Sequence, residues 1–289
     1  MRNYLILLLV VFFFILFLLI LKKKEKTQKQ NLERRQECKY LCIYVFYAKD
    51  SSYKQNFKYF LRYGILPNVE YFIVVNGKCN VPIPRRYNIT VLYRKNKGYD
   101  FGAYSYALTK VKKTYEYYFF INTSLRGPIM KNRKTPWIDD FLALFSEKNV
   151  HLVGLSINIY PSTTFGKHNL ENLYRHRPPY THVQSMMFCM TPALLTSLQK
   201  DNFFNEDEMN QMQDLEEVVA KKEIGLSQHV LKNKWNLNCL LPQYRGRDYV
   251  NLRDEVNYSS HGGDPWYKNA YFGKTISSEE SMFMKTNRL

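Results

Sequence analysis

The segment from Arg94 to Met130 is the feature that most restricts how this chain can fold. It begins with a polar turn that contains glycines and continues with a helical pattern at Phe101–Val111. It then reaches a strand at Tyr117–Ile121, which is followed by Asn-Thr-Ser. Apolar residues recur at helical spacing in the first element, whereas the strand is apolar or aromatic throughout. A strand of that kind is buried on both faces, as in a parallel sheet covered by helices.

The same alternation of strands and helices extends along the rest of the chain. Further strands are predicted at Tyr40–Ala48, Tyr71–Val75, Ile89–Tyr93, His151–Ile157, Val183–Met190 and Asn236–Leu241. Further helices are predicted at Tyr53–Ile65, at Trp137–Phe145, from Pro192 onward, and at Asp214–Lys232 with a break near Gly225. This order favours an α/β fold with a mostly parallel, Rossmann-like sheet flanked by helices. In such sheets a ligand lies outside the carboxyl ends of the strands.

Polar residues follow several of the predicted strands and are therefore candidates for binding a ligand. Asp50 follows the first strand, Asn76 follows the second, and Arg126 lies shortly after the fourth. The fourth strand also delivers Asn122 and Ser124, which are alternate residues and point the same way. Their side chains can hydrogen-bond, but they bind Mg or Mn weakly.

The turn before the helix at Phe101 carries the sequence Asn-Lys-Gly-Tyr-Asp-Phe-Gly-Ala. Gly98 and Gly102 in this turn would let a ligand approach the backbone closely. Asp100 stands where a helix N-cap is expected, so a capped turn without any ligand explains the same residues. Both interpretations stay open from the sequence.

Residues 4–21 form an unbroken apolar and aromatic run, about the minimum length that crosses a bilayer core. The run continues into lysines without a small-residue cleavage site, which favours a retained anchor over a signal peptide. The predicted organisation is a tail at residues 1–3, a transmembrane anchor at 4–21, a basic stalk at 22–39 and one domain at 40–289. The lysines after the run favour a cytosolic domain.

The chain has a formal net charge of +17, and its basic residues are spread along the sequence. Phosphate ligands or an anionic membrane face would suit this charge, and we expect no nucleic-acid partner. The five cysteines show no metal-binding spacing and lie mostly in apolar runs. They are therefore predicted to be buried free thiols.

Several short motifs resemble those of the rhamnan synthesis F family. They are Asn-Lys-Gly-x-Asp-x-Gly-Ala from Asn96 and Asn-Thr-Ser-x-Arg-Gly-Pro from Asn122. Later motifs follow in the same order, at His182–Met186, Glu223–Ser227, Pro265–Tyr267 and Glu279–Phe283. The resemblance covers roughly residues 40–283, and the chain is also similar to GT-A-type glycosyltransferases more widely.

The resemblance implies a GT-A-like fold and transfer of a sugar from a nucleotide-sugar donor to a hydroxyl of a glycan or another acceptor. It implies that Asn96, Gly98, Asp100 and Gly102 line the donor pocket, with Asp100 also a catalytic candidate. It further implies that Glu223 is the base that deprotonates the acceptor. An ordinary exposed charge on a helix is the alternative interpretation of Glu223.

The resemblance also bears on metal binding, because Asn122 and Ser124 stand where such enzymes usually carry a metal-binding Asp-x-Asp. It implies Mn or Mg as cofactor, and the departure leaves metal-independent transfer open. His261 resembles a position that contacts metal or diphosphate, so Asn122, Ser124 and His261 are the candidate ligands. Asp264 is an equal candidate for this role. Trp266 is a candidate for stacking on a sugar ring, with simple packing as the alternative.

Two functional classes therefore remain from the sequence. The motif order favours a membrane-anchored glycosyltransferase. The missing Asp-x-Asp and the charge of +17 favour a non-catalytic, membrane-tethered protein that binds polysaccharide, anionic lipid or nucleic acid. A transferase of the ER or Golgi would have a lumenal domain, whereas the lysines favour a cytosolic one, so both faces of the membrane stay open.

Overall fold

A computed structural model of the chain describes residues 2–131, 133–160, 170–176, 178–253 and 256–288, without the side chains of residues 2–11 and 172. The strands are β1 Tyr40–Tyr47, β2 Val69–Asn76, β3 Ile89–Arg94, β4 Tyr117–Asn122, β5 Leu125–Arg126, β6 Val150–Gly154, β7 Ile157–Ile159, β8 Thr181–Val183, β9 Met187–Met190, β10 Asn236–Cys239 and β11 Met284–Lys285. The helices are α1 Arg2–Gln36, α2 Ser51–Tyr63, α3 Tyr99–Leu108, α4 Trp137–Ala143, α5 Leu170–Tyr174, α6 Pro192–Lys200, α7 Glu206–Gln211, α8 Leu215–Val218 and α9 Gly225–Lys232.

The core of the fold is a seven-stranded sheet with the strand order β10-β6-β9-β4-β1-β2-β3. Strands β3, β2, β1 and β4 are parallel neighbours, and β6 is parallel to β10. Strand β9 lies between β4 and β6 and is antiparallel to both. The predicted α/β architecture with a mostly parallel sheet is therefore confirmed.

Helices cover both faces of the central strands. Side chains alternate across a strand, so consecutive residues of β4 report on opposite faces of the sheet. The ring of Phe119 lies 5.3 Å from Trp137 of α4, whereas the ring of Phe120 lies 5.0 Å from Tyr104 of α3. The ring centroids of Phe60 in α2 and Trp137 lie 6.4 Å apart. Helices α2 and α4 therefore cover one face of the sheet and α3 covers the other. Burying a phenylalanine of this kind contributes about 2–3 kcal/mol to folding.

Two predicted strands and one predicted helix are each divided in the structure. The strand expected at His151–Ile157 is β6 followed by β7, and the strand expected at Val183–Met190 is β8 followed by β9. Strands β7 and β8 pair with each other outside the main sheet. The helix expected at Asp214–Lys232 is α8 and α9 joined by a π-helix at Val219–Ile224, so the predicted break lies immediately before Gly225.

The chain returns to the centre of the molecule close to its C-terminus. Strand β11 pairs antiparallel with β5, which directly follows β4. Thr286 reinforces this pairing because its backbone N–H donates to Ser124 O at 3.1 Å. The amide of Asn56 in α2 donates both to Thr286 Oγ1 at 2.9 Å and to Thr123 O at 3.0 Å. The C-terminal segment is thereby fixed against the end of the central strand.

Helix α1 continues through most of the predicted stalk, which is therefore helical as far as Gln36. No helix among the described residues is both long enough and apolar enough to cross a membrane. The anchor predicted at residues 4–21 includes side chains 4–11, which lie outside the described part of the chain. The anchor stays a prediction.

A buried carboxylate joins the end of α1 to the sheet. Glu70 of β2 accepts a hydrogen bond from Tyr115 Oη at 2.8 Å and lies 3.7 Å from both Arg35 Nε and Lys113 Nζ. Lys113 Nζ also donates to the carbonyls of Arg35 at 2.6 Å and Cys38 at 3.2 Å. A lysine at this place satisfies carbonyls that the end of a helix leaves without partners.

Other sequence features are also explained by packing. Cys38, Cys42, Cys79, Cys189 and Cys239 are free thiols, and all except the partly buried Cys79 are buried, as predicted. Three asparagines, Asn88, Asn122 and Asn257, each begin an Asn-x-Ser/Thr sequence, the acceptor motif for N-glycosylation. Asn88 and Asn257 are each 1% exposed, and Asn122 is 8% exposed. The amide of Asn88 donates to two backbone carbonyls. A glycan at any of these three asparagines would conflict with the fold.

We predict that Glu70→Ala lowers the free energy of unfolding by about 1–3 kcal/mol, because it leaves the buried Tyr115 hydroxyl without its acceptor and removes the partner of Arg35 and Lys113. Urea denaturation followed by circular dichroism measures this change. Glu116→Ala is the matched control, because Glu116 pairs with Lys39 at 3.2 Å with both side chains more than half exposed. The control should cost no more than about 1 kcal/mol. Equal losses for the two variants would contradict the role assigned to Glu70.

Candidate active site

The carboxyl ends of the parallel strands place a group of polar side chains at one edge of the sheet. Asn76 ends β2, Arg94 ends β3 and Asn122 ends β4. The Arg94 guanidinium donates to Asn76 Oδ1 at 3.0 Å, to Lys97 O at 3.0 Å and to Asn210 Oδ1 at 2.8 Å. Arg94 therefore holds the following loop against α7, and Asn76 is part of that support.

The centre of this edge is a chain of hydrogen bonds through Asn122. Its side-chain Nδ2 donates to Asp100 Oδ2 at 2.7 Å. Its side-chain Oδ1 accepts from Ser124 N at 3.0 Å and from Ser124 Oγ at 2.6 Å. Asn122 and Ser124 are both less than one-tenth exposed, whereas Asp100 is partly exposed. The structure thus joins three of the predicted site residues.

The Asp100 carboxyl has an altered proton affinity. Burial raises its pKa to about 6, the hydrogen bond from Asn122 opposes this rise, and the negative charge of Glu223 adds to it. Burial and the charges of Asp100 and Asp50 also raise the pKa of Tyr53, whereas Arg288 lowers it. Glu223 therefore lies near Asp100, and Tyr53 lies near both Asp100 and Arg288.

Glu223 lies in the π-helix between α8 and α9 and is not an ordinary exposed charge. Its side chain is 17% exposed, and Oε1 lies 3.6 Å from His182 Nε2. Ser185, in the connection between β8 and β9, donates its hydroxyl to Glu223 Oε2. Burial by itself raises the pKa of Glu223, but His182, Ser185 and the charge of Lys285 outweigh it and leave the pKa lowered. π-Helical turns occur frequently at functional sites.

His182 is fully buried and oriented by its surroundings. Its Nδ1 lies 2.8 Å from Tyr180 O, and a carbonyl can only accept, so Nδ1 carries a proton. The Tyr160 ring stacks on the imidazole with centroids 5.3 Å apart. Nε2 therefore points at Glu223 in a fixed direction.

Two cations from the C-terminal segment complete the group. Lys285 Nζ lies 3.9 Å from Asp264 Oδ2, and Arg288 Nε lies 3.6 Å from the same oxygen. Burial lowers the pKa of Lys285, while the charges of Asp264 and Glu223 oppose that change. The Arg288 guanidinium also lies 4.7 Å from the centroid of the Tyr267 ring.

The residues that sequence reasoning missed are Tyr53, His182, Ser185, Lys285 and Arg288. His182 and Ser185 lie inside a recognised motif, but the sequence shows no spacing that links them to Glu223. Lys285 and Arg288 directly follow the motif that ends at Phe283. The signal that could have found them is the occurrence of two basic residues shortly after the apolar pair Met282–Phe283.

The two glycines of the turn are explained by contacts within the protein. Gly98 has φ +64°, and a Cβ there would lie 2.2 Å from Met209 O. A Cβ on Gly102 would lie 2.3 Å from Lys97 O. Helix α3 begins at Tyr99 without a side-chain cap, so the expectation of Asp100 as the N-cap is wrong. Because the carboxyl of Asp100 binds Asn122, it faces the site instead.

Other predicted residues lie at the margin of the site or outside it. Asp50 is exposed and caps α2, with Oδ1 accepting from Tyr53 N at 3.0 Å. Asn96 is exposed in the loop after β3. The Arg126 guanidinium turns toward α2, where it donates to Gln55 Oε1 at 3.2 Å.

The three site residues predicted in the C-terminal loop differ in where the structure places them. Asp264 joins the site through Lys285 and Arg288. His261 is exposed, and its ring lies 4.7 Å from the Tyr267 ring. Trp266 is 1% exposed, and its indole N–H donates to Ser156 Oγ at 2.7 Å. The structure therefore supports the packing alternative for Trp266, because its ring is not accessible to a sugar.

The side chains at this edge do not fit a divalent metal. Among the described residues, no three His, Cys, Asp or Glu side chains are grouped so that they could hold a metal ion. Asn122 and Ser124 stand where an acidic pair is expected, and they hydrogen-bond to each other. Mg and Mn favour carboxylate oxygens, so this donor set suits them poorly.

The model of the family described as Rhamnan synthesis protein F matches residues 73–261, more than half of the 289 residues. The chain belongs to the rhamnan synthesis protein F family. The matched region of this family member contains the Asp100–Asn122 pair, His182 and Glu223 and ends at His261. Lys285 and Arg288 lie beyond it. No curated protein matches the chain.

Solved structures of sugar-transferring enzymes are similar to this family member in fold. Mouse xyloside xylosyltransferase 1 in its apo form has a TM-score of 0.45 and 11% identity, over 86% of this chain and 98% of that one. The mannosyltransferase PcManGT from Pyrobaculum calidifontis, in complex with GDP-Man and Mn²⁺, has a TM-score of 0.36 and 14% identity, over 55% of this chain. The chain spans 46% of that mannosyltransferase.

We predict that Gly102→Ala destabilises the protein by about 1–3 kcal/mol, because the new methyl group overlaps a backbone carbonyl. Gly225→Ala is the control, since a Cβ there meets no atom closer than 3.7 Å. In a helix that change should be neutral or stabilise by up to about 1 kcal/mol. Thermal unfolding of both variants measures the difference, and a fully stable Gly102→Ala protein would contradict the close contact.

A second prediction concerns the pH dependence of stability. Because the pKa of Asp100 is raised in the folded protein, the folded state binds an extra proton between about pH 4 and pH 6. The free energy of unfolding should therefore fall as pH rises through this range. Asp100→Asn removes this contribution while retaining a polar partner for Asn122. Urea denaturation at several pH values should show wild type losing stability relative to the variant, and parallel pH profiles would contradict the raised pKa.

Proposed function

We propose that this protein transfers a sugar from a nucleotide-sugar donor to a hydroxyl group of a glycan. Family membership and the fold support the reaction class. The observation that carries the proposal is the arrangement at Glu223. This carboxylate is held at the carboxyl edge of the sheet by Ser185 and faces His182, and the Asp100–Asn122 pair lies on the same edge.

Glu223 is suited to act as the acceptor base. Its lowered pKa keeps it ionised at neutral pH, so an oxygen can accept the proton of an incoming hydroxyl. The hydroxyl oxygen then forms a bond to the anomeric carbon of the donor while the bond from that carbon to the diphosphate breaks. Ser185 positions the carboxylate through its hydrogen bond, and His182 lies 3.6 Å from the other oxygen. Base catalysis requires a carboxylate within hydrogen-bond reach of the acceptor.

Asp100, Asn122 and Ser124 are placed to bind the donor. Asp100 remains partly exposed, whereas Asn122 and Ser124 are buried. The carboxylate oxygen of Asp100 that does not bond to Asn122 is therefore available to a hydroxyl of the sugar or ribose. Gly98 and Gly102 support this function indirectly, because they allow the loop and α3 to pack closely. The acceptor would approach from the side of Glu223.

We further propose that residues 4–21 hold the protein at a membrane, next to a glycan acceptor. The unbroken apolar run supports this proposal. Either face of the membrane is consistent with the sequence. Fractionation of cells with carbonate extraction tests the anchoring, and protease protection of the domain reports the face. Release of the intact chain by carbonate would contradict the anchor.

We predict that Glu223→Gln lowers the rate of sugar transfer at least about 100-fold with little change in donor affinity, because it removes the base. The measurement is transfer and donor hydrolysis by the full chain with a panel of nucleotide sugars. Glu216→Gln, an exposed glutamate on α8, is the matched control and should retain activity. Unchanged transfer by Glu223→Gln would contradict the assignment of the base.

The same panel separates the enzyme from the alternative of a basic binding protein. A donor that raises the melting temperature and is consumed supports the transferase. A folded protein that responds to no nucleotide sugar, yet binds anionic polysaccharide or lipid in a salt-sensitive manner, would contradict the transferase and support the alternative.

A further inference from the structure

The C-terminal segment brings two positive charges, Lys285 and Arg288, next to the single carboxylate of Asp264. Lys285 has a side chain that is 12% exposed, and the Arg288 side chain is 34% exposed. Both lie near one oxygen of Asp264, whose side chain is 9% exposed. The other oxygen of Asp264 accepts a hydrogen bond from Trp266 N at 3.0 Å. Asp264 is therefore shared by two cations, and the charge of Glu223 also acts on Lys285.

Neither cation is satisfied by its contacts with the protein. The distances to Asp264, 3.9 Å for Lys285 and 3.6 Å for Arg288, are longer than hydrogen bonds. Within the described part of the chain, Arg288 Nε is buried without a hydrogen-bond partner, and Lys285 Nζ comes no closer to Asp264 than 3.9 Å. Burying charged donors without partners is costly, so such groups are usually paired or bind a ligand.

The segment that carries these cations is rigidly placed. The pairing of β11 with β5 sets Lys285 opposite Leu125, two residues after the loop begins at Thr123. Thr286 is bonded to Ser124 O, and Asn56 of α2 holds Thr286. The stacking of Arg288 over Tyr267 fixes the second cation. The two charges are therefore part of the built site and not of a loose chain end.

We propose that Lys285 and Arg288 bind the diphosphate of the donor and supply the positive charge that a divalent metal would otherwise provide. This inference rests on the proposed function, since it concerns the donor of the same reaction. It agrees with the replacement of an acidic pair by Asn122 and Ser124. A lysine and an arginine are the side chains that best bind phosphate oxygens, the arginine through two parallel hydrogen bonds.

The two cations would also assist the chemical step. When the bond between the anomeric carbon and the diphosphate oxygen breaks, the electron pair stays on that oxygen and the diphosphate gains negative charge. Donors fixed in a partly water-free site stabilise such charge strongly. Asp264 acts as a positioning residue, because it holds Lys285 and Arg288 side by side without contacting the donor.

The test is binding of nucleoside diphosphates to the purified full chain by calorimetry, first in EDTA and then with Mn. UDP, GDP, dTDP and CDP serve as probes, with the matching monophosphates for comparison. We expect a diphosphate to bind in EDTA, and Lys285→Gln and Arg288→Gln each to weaken it about tenfold or more, since hydrogen bonds to charged groups are lost. The monophosphate should lose less affinity.

Control variants separate loss of charge from loss of fold. Lys274→Gln removes an exposed charge from the same C-terminal region and should bind as wild type. Arg288→Lys keeps the charge at a one-third exposed position but not the two parallel hydrogen bonds, so it should recover part of the affinity lost in Arg288→Gln. Melting temperatures of all variants show whether they are folded at the temperature of the measurement.

The outcomes distinguish this inference from the proposed function. Wild-type affinity in folded Lys285→Gln and Arg288→Gln, or binding that requires Mn, would overturn the inference while sugar transfer by wild type leaves the function standing. Binding that depends on Lys285 in a protein that transfers no sugar would support the diphosphate site and overturn the transferase. A folded wild type that binds no nucleoside diphosphate would overturn both.

Discussion

The parallel pairing of β1 with β2 and β4 is the constraint on which the rest of the structure depends. A strand that is buried on both faces is mostly apolar along its length, because polar side chains there would lose contact with water. The polar side chains therefore lie at the strand ends. Parallel strands end at the same edge of a sheet, which gathers these side chains in one place. Asn76 and Arg94 are paired neighbours for this reason, and Asn122 lies at the same edge on the other side of β1. The hydrogen-bonded chain from Asp100 to Ser124 is built on that edge.

The electrostatics of the site follow from charges crowded into a half-buried space. Asp100 and Glu223 are both acids, yet burial and the charge of Glu223 raise the pKa of Asp100, while His182 and Ser185 help to lower that of Glu223. Environments that push two carboxyl pKa values apart are typical of acid–base catalysis. Lys285 adds a positive charge between Glu223 and Asp264. This partition of charge supports the proposed role of Glu223 as the base and of the two cations in binding phosphate.

Much of the fold was predictable, because hydrophobic periodicity is a local property. The strands at the centre and the helices α2, α3 and α4 lie within a few residues of their predicted positions. The antiparallel direction of β9 was not predictable, since an apolar run does not indicate whether a strand is parallel or antiparallel to its neighbours. Ser185 lies between β8 and β9 and donates to Glu223, a long-range contact that no local pattern predicts. The π-helix at Val219–Ile224 is not visible in the sequence either, where only a break near Gly225 is predicted.

For the site, the sequence alone determined that polar residues end the central strands and that Asp100, Asn122, Ser124 and Glu223 stand in motifs of one family. It did so because strand burial and motif order are read along the chain. Only the tertiary structure decided that Asp100 binds Asn122 instead of capping a helix and that Trp266 is packed in the core. It alone placed Lys285 and Arg288 beside Asp264. These outcomes depend on which distant segments meet, and β11 reaches β5 across more than half of the chain.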